Sequence, residues 1–423
     1  MKLRVFCDDA AVGWLEMPAE ATRRPWALTF DKTPAVPLSP HLAAAAGQTI
    51  SGDAVRHFFV NLLPESPYAE RVAARFDPKP QTDAALLACI GQELVGAYAL
   101  SEQALAAPSY APLTLKKLEQ GLADSRHRAD AIAFETQLPR LSLAGAQDKF
   151  ALWYDPTQTE PNRRFKIPQG RAASTHIFKP ASTDTRYGLL PANEFACAQL
   201  AKVLGLRVAD TDIVTLGGVR VLVVRRFDRE RTGAEIKRLH QVDLCQLLNL
   251  PREKKYGSEG GIDTTELFSA CSQLAVPALA RRSLLRAWLF HYLIGNHDAH
   301  AKNFSFQWNG SGWQTAPLYD LLSVVPYLPA QPLSMGLLDE HRPGWFEAPH
   351  WTELARVAGV TRPYLAGEMR AIAQAAERAA PGLAPLLRAA LTSEELEFLA
   401  GRVNPVVAQR AEWLIEGASM LVA

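Results

Sequence analysis

The hydrophobic period of this chain changes twice along its length, and that order limits its fold more than any single motif does. Between Leu3 and Phe30 short alternating stretches (LRVFCD, GWLEM, WALTF) are split by Asp, Gly and Pro, the pattern of a small antiparallel meander. After Ser51-Gly52-Asp53, apolar residues recur at helical spacing in AVRHFFVNLLPES and again in PYAERVAARF, so two short helices are expected with a Pro break between them. The stretch from Pro108 to Pro112 reads as a junction. From 139 to 228 the strand-like runs KFALWY, HIFKP, IVTL and VRVLVVRRF surround one clear helix, NEFACAQLAKVLGL, which stops near Gly205. From Gln241 onward helical spacing dominates, interrupted by loops at 251–263 and 296–350. A sheet-bearing part ahead of a helical part is how a two-lobed nucleotide transferase is ordered, although order alone assigns no chemistry.

At 423 residues the chain exceeds the usual single domain, and three parts are expected: 1–110, 111–240 and 241–423. With 48% hydrophobic and 21% charged residues it is globular in composition, which excludes a disordered, collagenous or coiled-coil chain. Lys and Arg number 45 against 44 Asp and Glu, so no global field draws it to nucleic acid or anionic lipid. Any DNA contact then needs a local patch or a partner. The five cysteines are odd in number, scattered and without a CxxC pair, which disfavours a disulfide framework or a zinc site and fits a reducing cytoplasm. No apolar run approaches the roughly 18 to 20 residues of a membrane span.

The densest chemistry lies in Gly295-Asn296-His297-Asp298-Ala299-His300-Ala301-Lys302-Asn303-Phe304, directly after the apolar run LLRAWLFHYLIG. Polar groups are there presented on a loop fixed by a rigid helix. Asp298 and Asn303 are five residues apart, the spacing by which a protein-kinase catalytic loop sets its base against its metal-binding amide. A capped helix end with a polar loop is the plainer reading of that pair taken alone. His300 and Lys302, within the same loop, are candidates to steady the base or the transferred phosphoryl. Asp320 follows 22 residues after Asp298, beyond FSFQW and NGSGW, where a hairpin would return a second carboxylate to the same mouth. Together Asp298, Asn303 and Asp320 make a hard-oxygen set suited to magnesium rather than zinc.

Lys179, at the end of HIFKP, is the candidate cation for phosphate, and Glu194 near the start of the following helix is its candidate partner. The segment Leu143-Ala144-Gly145-Ala146-Gln147-Asp148-Lys149 is rich in small residues, which lets backbone N–H groups approach phosphate oxygens; a plain turn is the alternative. At the end of VRVLVV, Arg225, Phe227 and Asp228 stand where a strand terminus can meet adenine through its backbone and a ribose hydroxyl through Asp228.

These stretches resemble the HipA family, serine/threonine kinase toxins of bacterial type II toxin–antitoxin modules, along nearly the whole chain. The resemblance rests on FFVNLLPES, LLACIGQELVGAYAL, LSLAGAQDK, THIFKP, NEFACAQLAKVLGL, RRFDR, LCQLLNLPREKKYGSEGG, LIGNHDAHAKNFS and PLYDLLSVVP. It implies an α+β, two-lobed protein-kinase-like fold with a family-specific β-rich N-terminal subdomain and an all-helical C-terminal lobe. By position it implies Asp298 as catalytic base, Asn303 and Asp320 as metal ligands, Lys179 as phosphate-binding lysine, residues 143–149 as nucleotide loop, and Arg225, Phe227 and Asp228 as hinge and ribose contacts. Ser142 matches the family's autophosphorylated serine; Arg140, two residues upstream, is a candidate to hold the new phosphate, and a solvated surface arginine is its plainer reading. The resemblance also implies ATP and Mg2+ as cofactors, an aminoacyl-tRNA synthetase of glutamyl type as protein substrate, and a small helix-turn-helix antitoxin of HipB type through which operator DNA is met. Asp148 stands where Glu is familiar, and Arg225 where a Glu often sits. A catalytically silent module that binds the antitoxin, or a small-molecule or lipid kinase, are the other readings of the same scaffold.

Overall fold

The computed structural model describes residues 1–423 except 9, 20, 21, 23, 67, 124–148, 234 and 423. Two compact units divide the chain: Met1–Thr183 with Val214–Arg252, and Asp184–Ile213 with Glu253–Ala423.

The first unit opens with the expected meander. Strands β1 (Lys2–Cys7), β2 (Ala10–Glu16), β3 (Ala27–Phe30), β4 (Thr49–Ser51) and β5 (Tyr98–Ser101) form a five-stranded sheet in the order β4-β3-β2-β1-β5. All four pairings are antiparallel, with one irregularity between Val5 and Phe6. Alternation fixes the register: Leu3, Val5, Leu15 and Leu28 are all wholly buried, and a slip of one residue would turn them to solvent. Helices α1 (Asp53–Val60), α2 (Tyr68–Ala73) and α3 (Asp83–Ile90) come between β4 and β5, the first two split as the Pro break requires.

A second sheet contains β6 (Ser109–Leu113), β7 (Phe150–Tyr154), β8 (Phe165–Gln169), β9 (His176–Pro180), β10 (Thr211–Leu216) and β11 (Val219–Arg225), ordered β10-β11-β9-β7-β8-β6. The stretch read as a junction is therefore a strand. Its prolines misled because Pro cannot donate to a ladder, yet β6 lies at the sheet edge, where Pro112 opposite Lys166 is tolerated. The core of this sheet is aromatic and branched. All five residues of β7 are buried, and Phe150 stacks on Phe178 with ring centroids 5.2 Å apart. Helix α4 (Leu115–Ala123) adds Leu118 and Leu122 to the same core. The ribbon β12 (Arg229–Thr232) and β13 (Glu235–Arg238), then β14 (Gln241–Asp243), complete the strands of this unit.

The second unit is helical, with one hairpin. Helix α5 (Leu190–Val203) carries Pro191 in its first turn and is followed by Gly205 at φ 71. After α6 (Leu244–Leu247), which belongs to the first unit, come α7 (Thr264–Ser269), α8 (Pro277–Leu293), α9 (Ala348–Ala358), α10 (Arg362–Ala390), α11 (Ser393–Phe398) and α12 (Asn404–Met420). Helix α8 is buried from Ala287 through Leu293, so it serves as the core rod of the unit. The hairpin β15 (Ser305–Trp308) and β16 (Trp313–Thr315) pairs Trp308 with Trp313, and the Asn309 carboxamide caps its turn by accepting from the Ser311 and Gly312 N–H groups. Among the described residues no helix is long and apolar enough to cross a membrane.

Candidate active site

The loop after α8 begins at a glycine for a steric reason. Gly295 has φ 65, and a Cβ there would approach Val406 at 2.7 Å and Val325 at 2.8 Å. Only glycine both turns the chain and fits. Asn296 follows, 2% exposed, donating through Nδ2 to the Asp320 carbonyl at 3.0 Å and lying 3.1 Å from His291 Nδ1. His297 then clamps the loop. Its Nδ1 faces the Gln331 carbonyl while the Arg410 guanidinium donates to Nε2 at 2.9 Å, a geometry that needs the neutral Nδ1–H tautomer. Burial, helped by the Arg410 charge, pulls the His297 pKa down to about 4. Ser334 seals the loop from the other side, giving both its N–H and its hydroxyl to the His297 carbonyl at 2.9 and 2.8 Å.

Held in this way, Asp298 is half-buried, and its Oδ1 accepts from the Tyr256 hydroxyl at 3.1 Å. Its carbonyl accepts the His300 N–H at 2.7 Å, which folds the following turn back on itself. His300 and Lys302 are 7% and 4% exposed. The His300 ring meets the Tyr256 ring edge-on at 5.0 Å, so its contact here is with the residue that holds Asp298. The Tyr319 hydroxyl donates to the Lys302 carbonyl. Asn303 spans two groups: Oδ1 accepts the His300 N–H at 3.1 Å, and Nδ2 lies 3.0 Å from Asp320 Oδ2.

Asp320 reaches that position because the β15–β16 hairpin reverses the chain between it and Asn303. It sits at φ 57, a left-handed conformation that Asp tolerates better than most residues, and Asn193 of α5 holds the segment after it. The Asn193 carboxamide donates to the Ser323 carbonyl and accepts its N–H, both at 2.9 Å. His291 lies beneath Asp320, whose charge favours its protonation, but burial outweighs that and pushes its pKa down to about 4. The Asp320 carboxylate and the neighbouring Asn303 carboxamide, whose Oδ1 keeps a second lone pair beyond the one that takes the His300 N–H, are oxygen donors of the kind magnesium uses; that ion takes one or two protein oxygens and completes its shell with water and phosphate. The residues fit that ion. Among the described residues no group of three or more His, Cys, Asp and Glu side chains is placed to hold a metal.

Of the remaining candidates, Glu194 lies in the second unit and the others in the first unit or outside the described residues. Lys179, on β9 opposite Leu222, is 7% exposed. Lys149 is equally enclosed, its carbonyl accepting from the Tyr68 hydroxyl at 2.8 Å. Arg225 is exposed at the end of β11 and Phe227 is half-buried. Asp228 is 3% exposed and its oxygens are taken by protein groups: Arg226 at 2.9 and 2.8 Å, Arg229 at 2.8 Å and the Gly96 N–H at 2.9 Å. Glu194 is buried on α5 in the second unit. Arg140, Ser142 and Leu143 to Asp148 lie outside the described residues. Tyr256, Asn296 and Asn193 were not singled out from the sequence. Tyr256 is 42 residues from Asp298, and no local period links them.

The family model for the HipA N-terminal domain matches residues 3–101, and that for the HipA-like C-terminal domain matches 141–380. The chain is 30% identical over 433 residues to the serine/threonine-protein kinase toxin HipA of Shewanella oneidensis, covering 98% of this chain and 96% of that protein. It is also similar to the solved HipA of the Shewanella oneidensis MR-1 complex of HipA, HipB and operator DNA, with a TM-score of 0.83, 29% identity and 99% of each chain covered. With both family models matched, a homologous kinase covered end to end and the α+β kinase-like fold shared, this chain belongs to the HipA family of serine/threonine-protein kinase toxins.

Proposed function

We propose that the chain transfers the γ-phosphoryl group of ATP, with Mg2+, to a hydroxyl of an aminoacyl-tRNA synthetase of glutamyl type, and so stops translation in the cytoplasm. The observation that carries this reading is the loop after α8, where Asp298 is half-buried and held by Tyr256 while Asn303 and Asp320 lie 3.0 Å apart. Asp298 accepts the proton of the acceptor hydroxyl, whose oxygen then forms the new bond to phosphorus as ADP departs. Asn303 and Asp320 would hold the cation, which when bound would offset the charge on the phosphates. His300 steadies Asp298 through the Tyr256 ring, and Lys302, in the same turn, faces the transferred group. Lys179 and the loop 143–149 take the nucleotide phosphates. Arg225 and Phe227 offer backbone to the base, and Asp228 acts on the ribose side by fixing that strand end.

Ser142 is the self-inactivating site in this reading. Its phosphate would add about −1.5 to −2 charge beside the loop that cradles the nucleotide's own phosphates. A small helix-turn-helix antitoxin neutralises the toxin and brings it to operator DNA, as the solved relative's complex with HipB and DNA suggests. The test is incubation of the purified chain with labelled ATP and a panel of purified synthetases, with and without magnesium. Magnesium-dependent label on one synthetase, and on Ser142 by mass spectrometry, is the expected result. A chain that labels nothing is a silent module, and label confined to small molecules or lipid places it in another kinase class.

A further inference from the structure

In the second unit a cavity of about 410 Å3 opens between the segment 343–347 and α12. Its walls are aromatic: Trp345, Phe346, Trp413 and Tyr292 all line it. Its charge is acidic, from Glu347 and Glu416, and none of its lining residues is cationic. Trp345 is 60% exposed and Met420 at the rim 44%, so large apolar surface is left facing water beside two carboxylates. The same rings already receive guanidinium groups from this chain. Arg342, held by Glu340 at 2.6 Å, lies 3.4 Å from the Trp345 ring centre, and Arg410 packs 4.5 Å from that of Trp413 and 5.3 Å from that of Tyr292.

We infer that this cavity is a docking site for an arginine side chain on a segment of a protein partner. Indole faces attract a cation through their quadrupole, and a planar guanidinium stacks on them better than an ammonium does. Glu347 and Glu416 supply the compensating charge that an apolar cleft lacks. Glu347 stands at the start of α9, where its N–H donates to His350 Nδ1 at 3.0 Å and its carbonyl accepts the His350 N–H at 3.0 Å, so the residue is fixed at the rim. Nucleic acid is disfavoured here by the same two carboxylates.

The experiment uses the full-length chain and three short peptides, acetyl-Gly-Arg-Gly-amide and its lysine and citrulline counterparts, followed by the indole N–H resonances of Trp345 and Trp413. Citrulline keeps the shape of arginine and removes its charge. Saturable shifts with the arginine peptide, weaker ones with lysine and none with citrulline are expected. Glu416→Gln should weaken the arginine peptide by about three- to tenfold, and added salt should do the same, since the site is open to solvent. Trp345→Leu, at an exposed position where the fold does not depend on the ring, should abolish the response. Equal shifts with citrulline, no shift with any peptide, or an undiminished response in Trp345→Leu would each overturn the assignment.

Discussion

At the end of β11 two carboxylates and three guanidinium groups are shut away together, whereas at the end of α8 two carboxylates stand half-buried beside an amide and a phenol. In the first group Glu93 and Asp228 are 6% and 3% exposed. Glu93 accepts from Arg226 at 2.8 Å, Arg238 at 2.7 Å and the Ser174 hydroxyl at 2.8 Å, while Asp228 is bridged by Arg226 and Arg229. Charge there is spent on charge. Such a cluster fixes the strand end, because any other arrangement would strand ions away from water. In the second group Asp298 and Asp320 are oriented by the Tyr256 hydroxyl and the Asn303 amide, groups that direct a carboxylate without neutralising it. The same residue type is enclosed by guanidinium groups in one place and, in the other, met by a phenol and an amide at the site proposed for catalysis.

The sharpest test of that contrast is Asp298→Asn. Geometry and packing are retained and the proton acceptor is lost, so phosphoryl transfer should fall by about 10²- to 10⁴-fold. The urea midpoint and ATP affinity should stay near those of the parent chain. A variant that transfers phosphate at the parent rate would remove Asp298 from the role of base.

Glu93→Gln should show the opposite pattern. It leaves three buried guanidinium groups facing Asp228 alone, and breaking a buried pair from one side costs about 3–5 kcal/mol. The measurement is the urea midpoint, which should drop markedly. A native midpoint would mean that water or a rearranged Arg238 takes up the lost charge, and the enclosed cluster would then be no more structural than the open one.

How much of this was legible in the sequence depended on how far apart the partners lie. The meander, the helix NEFACAQLAKVLGL and the stop at Gly295 follow from local period and from glycine, and they stand where expected. Asn303 and Asp320 are 17 residues apart with a hairpin between them, so their meeting could be anticipated. Glu93 and Arg226 are 133 residues apart, and nothing in either neighbourhood marks the pairing. Asp228 reads from the sequence as a ribose contact at a strand end, since sequence shows the side chain and not the two arginines that bond it. The strand Ser109–Leu113 was hidden for another reason: proline reads as a breaker unless the position is known to be an edge.

Acid should separate the enclosed cluster from the rest of the molecule. Burial pushes the Glu93 pKa up, but the charges of Arg238, Arg229 and Arg226 and the Ser174 hydrogen bond outweigh it and hold the group at about 2, against an ordinary 4.5. Asp228 is depressed in the same direction: its burial is outweighed by Arg226 and Arg229. A carboxylate whose pKa is lowered on folding contributes stability that is present above its unfolded value and is lost as pH falls toward the folded one. For Glu93 that window runs from pH 4.5 to about 2, and the loss amounts to about 3 kcal/mol. Glu93→Gln should flatten the stability profile within that window. If its profile falls as steeply as the parent's, other carboxylates carry the acid response.

The smallest expected effect is at Tyr256, and it bears directly on how the open site is built. The Tyr256 hydroxyl donates to Asp298, while its ring packs edge-on against His300 and beneath the Lys255 ammonium, 4.6 Å from the ring centre. Tyr256→Phe keeps the ring and removes the donor, so it should cost one hydrogen bond to a carboxylate, about 1.5 kcal/mol, seen as a roughly tenfold fall in kcat. ATP affinity should not move, because the lost contact orients the base and not the nucleotide. Tyr256→Leu removes the ring as well and should cost more, since His300 then loses the surface that sets its turn. Equal losses in the two variants would assign the effect to the hydroxyl alone, and a silent Phe variant beside an impaired Leu variant would assign it to packing. The second outcome would mean that Asp298 is aimed by the fold of its loop, through Gly295, His297 and Ser334, with Tyr256 serving only as a wall.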